Sequence, residues 1–143
     1  MSRSGYSDDC EGWDLIRWRG AVASAIRGKR GQEFLREMVA ALDAMPDKRL
    51  FQEELKAEDG SVCAMGAVGE RRGLDMSKVD PTERDDVAEL FGISPALVAE
   101  IAYENDEYYW MGTAESFKRE TPEHRWERMR RWAEKHLKAQ PQV

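Results

Sequence analysis

The sequence contains no apolar run long enough to cross a bilayer. Its mean hydropathy of -0.72 argues against a membrane-spanning helix. The opening residues, MSRSGYSDDCEGW, hold no apolar core, so a secretory leader is not expected there. Cysteine and histidine are scarce. Cys10 and Cys63 lie 53 positions apart, make no CxxC pair, and form no metal cluster with His124 and His136. They read as reduced thiols of a cytosolic protein, with a structural disulfide as the alternative. The spacings GxSxG, HExxH and GxxxxGK[ST] are all missing, which removes the common signatures of serine hydrolysis, zinc hydrolysis and phosphate-loop binding. Cys63 sits among Val62, Ala64 and Met65, which suggests a buried thiol rather than a thiolate. His124 falls in the first turn of an expected helix, where the dipole disfavours its charged form. No catalytic residue, metal or cofactor is expected, and the chain does not read as an enzyme.

What is present is charge. A chain of 143 residues fits one domain, and such a domain buries roughly two thirds of its unfolded surface. The hydrophobic share of 41% is enough for a core, while 35% charged is high. The net charge of -6 is unevenly spread. Residues 16 to 32 carry Arg17, Arg19, Arg27, Lys29 and Arg30 and no acid. Residues 52 to 107 carry fifteen acids against five bases, and residues 117 to 138 carry eight bases against four acids. A basic N-terminal hairpin, an acidic middle and a basic C-terminal helix follow. Either the ends neutralise the middle internally or they serve an external partner.

The expected fold is mainly α, a compact multi-helix single domain over residues 12 to 140 behind a mobile N-terminus, residues 1 to 11. Asp14 can cap a helix reaching about Gly28, with Leu15, Trp18, Val22, Ala25 and Ile26 as its apolar stripe. Gly28-Lys29-Arg30-Gly31 breaks that pattern. A second helix then buries Phe34, Leu35, Met38, Val39, Ala41, Leu42 and Met45, and Pro46 ends it, completing a helical hairpin. Residues 48 to 63 read as a short β-hairpin or an irregular extended piece. CAMGAVGERRG reads as a close-packed helix of small residues stopped by Gly73. Asp80 or Thr82 starts a helix through Phe91, Ser94-Pro95 starts another, and Thr121-Pro122-Glu123 starts the last.

Residues 84 to 103 resemble a helix-turn-helix. With Arg84 first, Ala88 fills the small fifth position and Gly92 the ninth. Val87, Phe91, Ile93, Val98 and Ile101 fill the apolar ones. The outward positions of the second helix, Ser94, Pro95, Ala96, Ala99, Glu100 and Tyr103, include none of the residues suited to reading base edges. The helix continues into Glu104, Asp106 and Glu107, which repel phosphates. The pattern therefore implies the scaffold without the DNA contact.

Two sets of candidate binding residues emerge. Glu100, Tyr103, Glu104, Asp106, Glu107, Tyr108 and Trp110 mix carboxylates with aromatic rings, a combination suited to a basic protein surface. The alternative is that the rings end in this chain's own core. Arg27, Lys29 and Arg30, at a glycine turn opening a helix, and Arg128 and Arg131, in RWERMRRWAEKHLK, suit an anion or a nucleic acid. The alternative for the last stretch is an amphipathic helix whose arginines pair with Glu127 and Glu134.

IRWRGAVASAIRGKRGQEFLREMVAALDAMPDKRL, SVCAMGAVGERRGLD, IAYENDE and TPEHRWERMRRW together resemble a family of small uncharacterised proteins of bacteriophages and prophages, over about residues 12 to 138. The resemblance implies the cytoplasm of a bacterial host cell and transfers no functional residue. The leading expectation is a phage accessory protein that binds a host or phage protein stoichiometrically, such as an anti-defence inhibitor presenting its acidic-aromatic surface. The second is a nucleic-acid-binding regulator that uses the basic hairpin and the C-terminal helix.

Overall fold

Glycine and proline set most of the boundaries in the computed structural model, which describes residues 3–4, 13–106, 110–111 and 118–138. Helix α1 (Trp13–Arg27) and helix α2 (Lys29–Ala44) are separated by Gly28 alone. The Gly28 N–H donates to Ser24 at 2.9 Å, and its carbonyl accepts from Gln32 at 2.9 Å, so one residue closes one helix and opens the next. The four-residue break expected at 28 to 31 is thus a correction: Lys29, Arg30 and Gly31 form the first turn of α2. Gly31 makes the corner possible. A Cβ there would lie 1.9 Å from the carbonyl oxygen of Ala25. Along α1, Val22 and Ile26 are buried and Trp18 and Ala25 half-buried, but Leu15 is 43% exposed and leaves the expected stripe.

The segment from 48 to 63 is extended and irregular, with a single bridge between Lys56 and Val62 around a turn at 57 to 60. Helix α3 (Ala64–Arg72) follows, and Gly73 ends it at φ 72. Its small residues bring it against the extended segment: a Cβ on Gly66 would meet the Leu55 carbonyl oxygen at 1.9 Å. Helix α4 (Arg84–Phe91) begins later than Asp80 or Thr82, because Asp80 instead closes a turn by accepting from the Thr82 N–H at 2.8 Å. Gly92 ends α4 at φ 73, a conformation that costs glycine little, and helix α5 (Pro95–Asp106) follows. Two-residue strands β1 (Trp110–Met111) and β2 (Lys118–Arg119) pair antiparallel, with Trp110 opposite Arg119, a pairing the sequence pattern did not signal. Helix α6 (Pro122–Lys135) starts on Thr121, whose side chain accepts from the His124 N–H.

The fold is mainly helical. Helix α5 is its centre, packed by α1, α3, α4 and α6, while α2 packs on α3 and α6. Leu97, Val98, Ile101 and Ala102 join Phe34, Leu35, Met38, Leu42, Phe91 and Met129 in one core. Phe34 and Phe91 meet edge to face at 6.0 Å. No helix among the described residues is long and apolar enough to cross a membrane.

Candidate functional site

The helix-turn-helix packing residues occupy their expected places: Val87, Ala88, Phe91, Ile93, Val98 and Ile101 are all buried. The outward face of α5 is covered as well. Helix α1 lies against it, and Ala96, Ala99 and Glu100 are buried. Of the other outward positions, Ser94 and Tyr103 are half-buried and Pro95 is exposed. A helix sheathed in this way has no free face for a DNA groove.

The same burial corrects the expected acidic-aromatic surface. Glu100 accepts both ends of the Arg19 guanidinium, at 2.7 and 3.0 Å. Asp106 is buried and accepts Arg3 at 2.5 and 2.8 Å. Both carboxylates are therefore neutralised inside the molecule rather than displayed. Tyr103 and Glu104 are half-buried. Glu107 and Tyr108 lie outside the described residues; Trp110 is described only in its backbone pairing. Acids that do face solvent lie elsewhere, among them Glu53, Glu54, Glu58 and Asp59, and Glu83, Asp85, Asp86 and Glu89 around α4.

A cleft of about 480 Å³ opens between α1, α5 and α6, with Val22, Ala23 and Ile26 on its apolar side. Arg19, Arg27, Glu100, Glu104, Trp132, Lys135 and His136 complete its lining. Burial raises the proton affinity of Glu104. Arg128, 3.7 Å away, opposes that shift and Glu100 reinforces it. Burial also lowers the proton affinity of His136, with Lys135 adding to the effect. Trp132 and His136 meet edge on at 5.0 Å.

The mouth of this cleft joins the two basic ends of the chain. Gln32 on α2 donates to the His136 carbonyl at 2.9 Å and accepts from the Lys138 N–H at 2.8 Å. The Lys138 ammonium reaches the Arg27 carbonyl at 2.8 Å. Arg27, Lys29 and Arg30 of the α1–α2 corner and Lys135 and Lys138 of the C-terminal end are all exposed. Arg131, one turn before Lys135 on α6, is exposed too. Among the described residues, Arg27, Lys29, Arg30, Arg131 and Lys135 have no ion pair. Helix α2 also starts without a side-chain cap or an acid in its first turn. Arg128 does not join this surface, which corrects its expected role. It is half-buried, and Glu120 holds it through bonds of 2.7 and 3.0 Å. Arg130 is likewise taken up by Asp43 and Glu134.

A second polar cluster was not visible in the sequence. Asn105 is fully buried. Its side chain accepts from the Ala64 N–H and donates to the Phe51 carbonyl, at 3.1 and 2.8 Å. Arg125 is buried beside it and donates to the carbonyls of Asn105 and Leu50, both at 3.0 Å. Glu120 sits 3.4 Å from Arg125. Burial alone would raise the proton affinity of Glu120, but hydrogen bonds from Arg128 and His124 outweigh it and hold the carboxyl below its ordinary range. This network fastens the extended segment and the start of α6 to the end of α5. Its members span 75 residues of sequence, so no local pattern announces it. Among the described residues no group of side chains could hold a metal ion. Comparison with protein families, with curated proteins and with solved structures finds no match to this chain.

Proposed function

We propose that the chain acts stoichiometrically by binding a polyanion, a nucleic acid, at the basic corner formed by Arg27, Lys29, Arg30, Arg131, Lys135 and Lys138. One observation carries the reading. The bond from Lys138 to the Arg27 carbonyl brings together two basic segments 111 residues apart, on a molecule whose net charge is -6. An acidic chain that brings six exposed cations of two distant segments to one corner has a local field suited to phosphates there. The contact is one of charge and shape, because α5, the helix of the helix-turn-helix resemblance, is sheathed and the six corner residues are all Lys or Arg, suited to phosphates. Fluorescence anisotropy with random duplex and single-stranded oligonucleotides at low salt tests it. Binding that weakens steeply with salt is expected. Charge reversal of Lys29 and Arg30 together should abolish it with the fold intact.

A second reading, a protein partner with a basic surface, rests on the exposed acids of α4. Glu83, Asp85, Asp86 and Glu89 have no ion pair among the described residues. In the phage setting that the sequence resemblance implies, that partner would be a host or phage protein. Retention of a captured partner that depends on Asp85 and Asp86, with no oligonucleotide binding, would favour this reading.

A further inference from the structure

Asp106, like Glu100, already holds an arginine, a cation of the kind a basic partner would offer, but here both the carboxylate and its cation are buried. Its carboxylate has four donors. Two belong to the body of the fold: the Glu53 N–H at 3.1 Å and the Asn105 amide at 2.8 Å. The other two are Nε and one terminal nitrogen of Arg3, at 2.5 and 2.8 Å. The remaining terminal nitrogen of Arg3 lies 3.4 Å from the sulfur of Cys63, the residue that caps α3. All three guanidinium nitrogens are thus matched, and Arg3 is only 5% exposed. Burial would loosen its proton, but the neighbouring Cys63 and Asp106 more than reverse this and raise its proton affinity.

The receptor half of this contact is built without Arg3. Glu53 sits at φ 73, the only non-glycine residue with positive φ among the described residues, and that turn aims its N–H at Asp106. Gln52 anchors the same segment by donating to the Asp106 carbonyl at 2.7 Å. Backbone held in such a conformation is characteristic of preorganised sites. The occupant lies outside every described helix, 103 residues away in sequence, and its neighbour Ser4 accepts a bond from Arg84 at 2.6 Å. A residue outside the helices can leave without unmaking one.

We propose that Asp106, Asn105, the Glu53 N–H and Cys63 form a guanidinium-recognition pocket, filled in cis by Arg3, that takes an arginine side chain of a protein partner when Arg3 withdraws. A planar fork fits the pocket and an ammonium does not, because the acceptors are arranged for a bidentate pair plus a third contact at sulfur. Arg3 then acts as a built-in competitor, and Cys63 reports whether the pocket is filled.

The test uses the full chain with Cys10→Ser, so that Cys63 is the single thiol. Native-state modification of Cys63 by a disulfide reagent is followed with and without Arg3→Ala. The variant should react at least tenfold faster, and millimolar N-acetylarginine methylamide should slow it again and raise its melting temperature. The lysine analogue at equal concentration should do neither, and adding Asp106→Asn should remove the arginine effect. Unchanged reactivity in Arg3→Ala, equal protection by lysine, or protection that survives Asp106→Asn would each overturn the proposal. If Arg3→Ala does not fold, Arg3→Lys keeps the charge and loses the fork. The arginine analogue should then raise the melting temperature of Arg3→Lys, and no shift would overturn the proposal.

Discussion

Lys138 donates its ammonium to the backbone carbonyl of Arg27 across 2.8 Å, and Gln32 bonds both to His136 and to Lys138 beside it. His136 and Lys138, just after α6, are thereby docked on the α1–α2 corner. Removing Gln32 should loosen that docking. The Gln32→Ala variant loses the bond to the buried Ile26 carbonyl as well, so a cost of about 2 kcal/mol is expected in urea unfolding. Oligonucleotide binding should weaken in parallel.

Two glycines of the first hairpin, Gly20 and Gly31, should behave oppositely. At Gly31 an added methyl meets the Ala25 carbonyl oxygen at 1.9 Å, and backbone cannot step aside cheaply. Gly31→Ala should cost at least about 2 kcal/mol. Gly20 lies within α1, is exposed, and has nothing within 4 Å of an added Cβ. Gly20→Ala should stabilise by about 0.5–1 kcal/mol through helix propensity. Denaturant midpoints compared at equal m-value decide both.

Much of the helical frame could be read from sequence, because its signals are local. The apolar spacing of α2, Gly73 and Gly92 as helix stops, and Thr121-Pro122 as a helix start all act within a few residues. The candidate site was legible only in part. Arg27, Lys29 and Arg30 were singled out by their glycine turn, but nothing local says that Lys138 returns to them. Glu100 and Asp106 look like surface acids in sequence. Their burial depends on Arg19 and Arg3, 81 and 103 residues distant. The left-handed Glu53 had no glycine to announce it.

Two glutamates should give stability–pH profiles of opposite sign. Glu104 binds its proton more tightly in the fold than the ordinary value of 4.5, because burial outweighs Arg128. Its contribution is full below that value and declines as pH rises through the folded pKa. Glu104→Gln should therefore melt higher than wild type at neutral pH, with the gain shrinking as pH falls through the folded pKa toward 4.5. Glu120 is held below 4.5 by Arg128 and His124 despite burial. Its contribution is full above that value and lost as pH falls through the folded pKa. Glu120→Gln should melt lower at neutral pH, and the deficit should close in acid. Thermal scans between acid and neutral pH check both signs.

Asn105 links α3, α5 and the extended segment with one side chain. Asn105→Ala leaves the buried Ala64 N–H and the Phe51 carbonyl without their partner, at a cost of about 2–4 kcal/mol. Hydrogen exchange should then quicken at Ala64 before the amides of α2 respond. Uniform exchange across the chain would contradict a local role.

The salt dependence of oligonucleotide binding tests the basic corner most directly. Binding constants from anisotropy are plotted against salt for wild type, Arg27→Gln, Lys135→Gln and an Asp85→Asn/Asp86→Asn control, with circular dichroism confirming the fold of each. The log–log slope should fall by about 1 for each cation neutralised, and the control should keep the wild-type slope. Wild type that does not bind at low salt, or slopes unchanged by Arg27→Gln and Lys135→Gln, would contradict the assignment of this corner as a nucleic-acid surface.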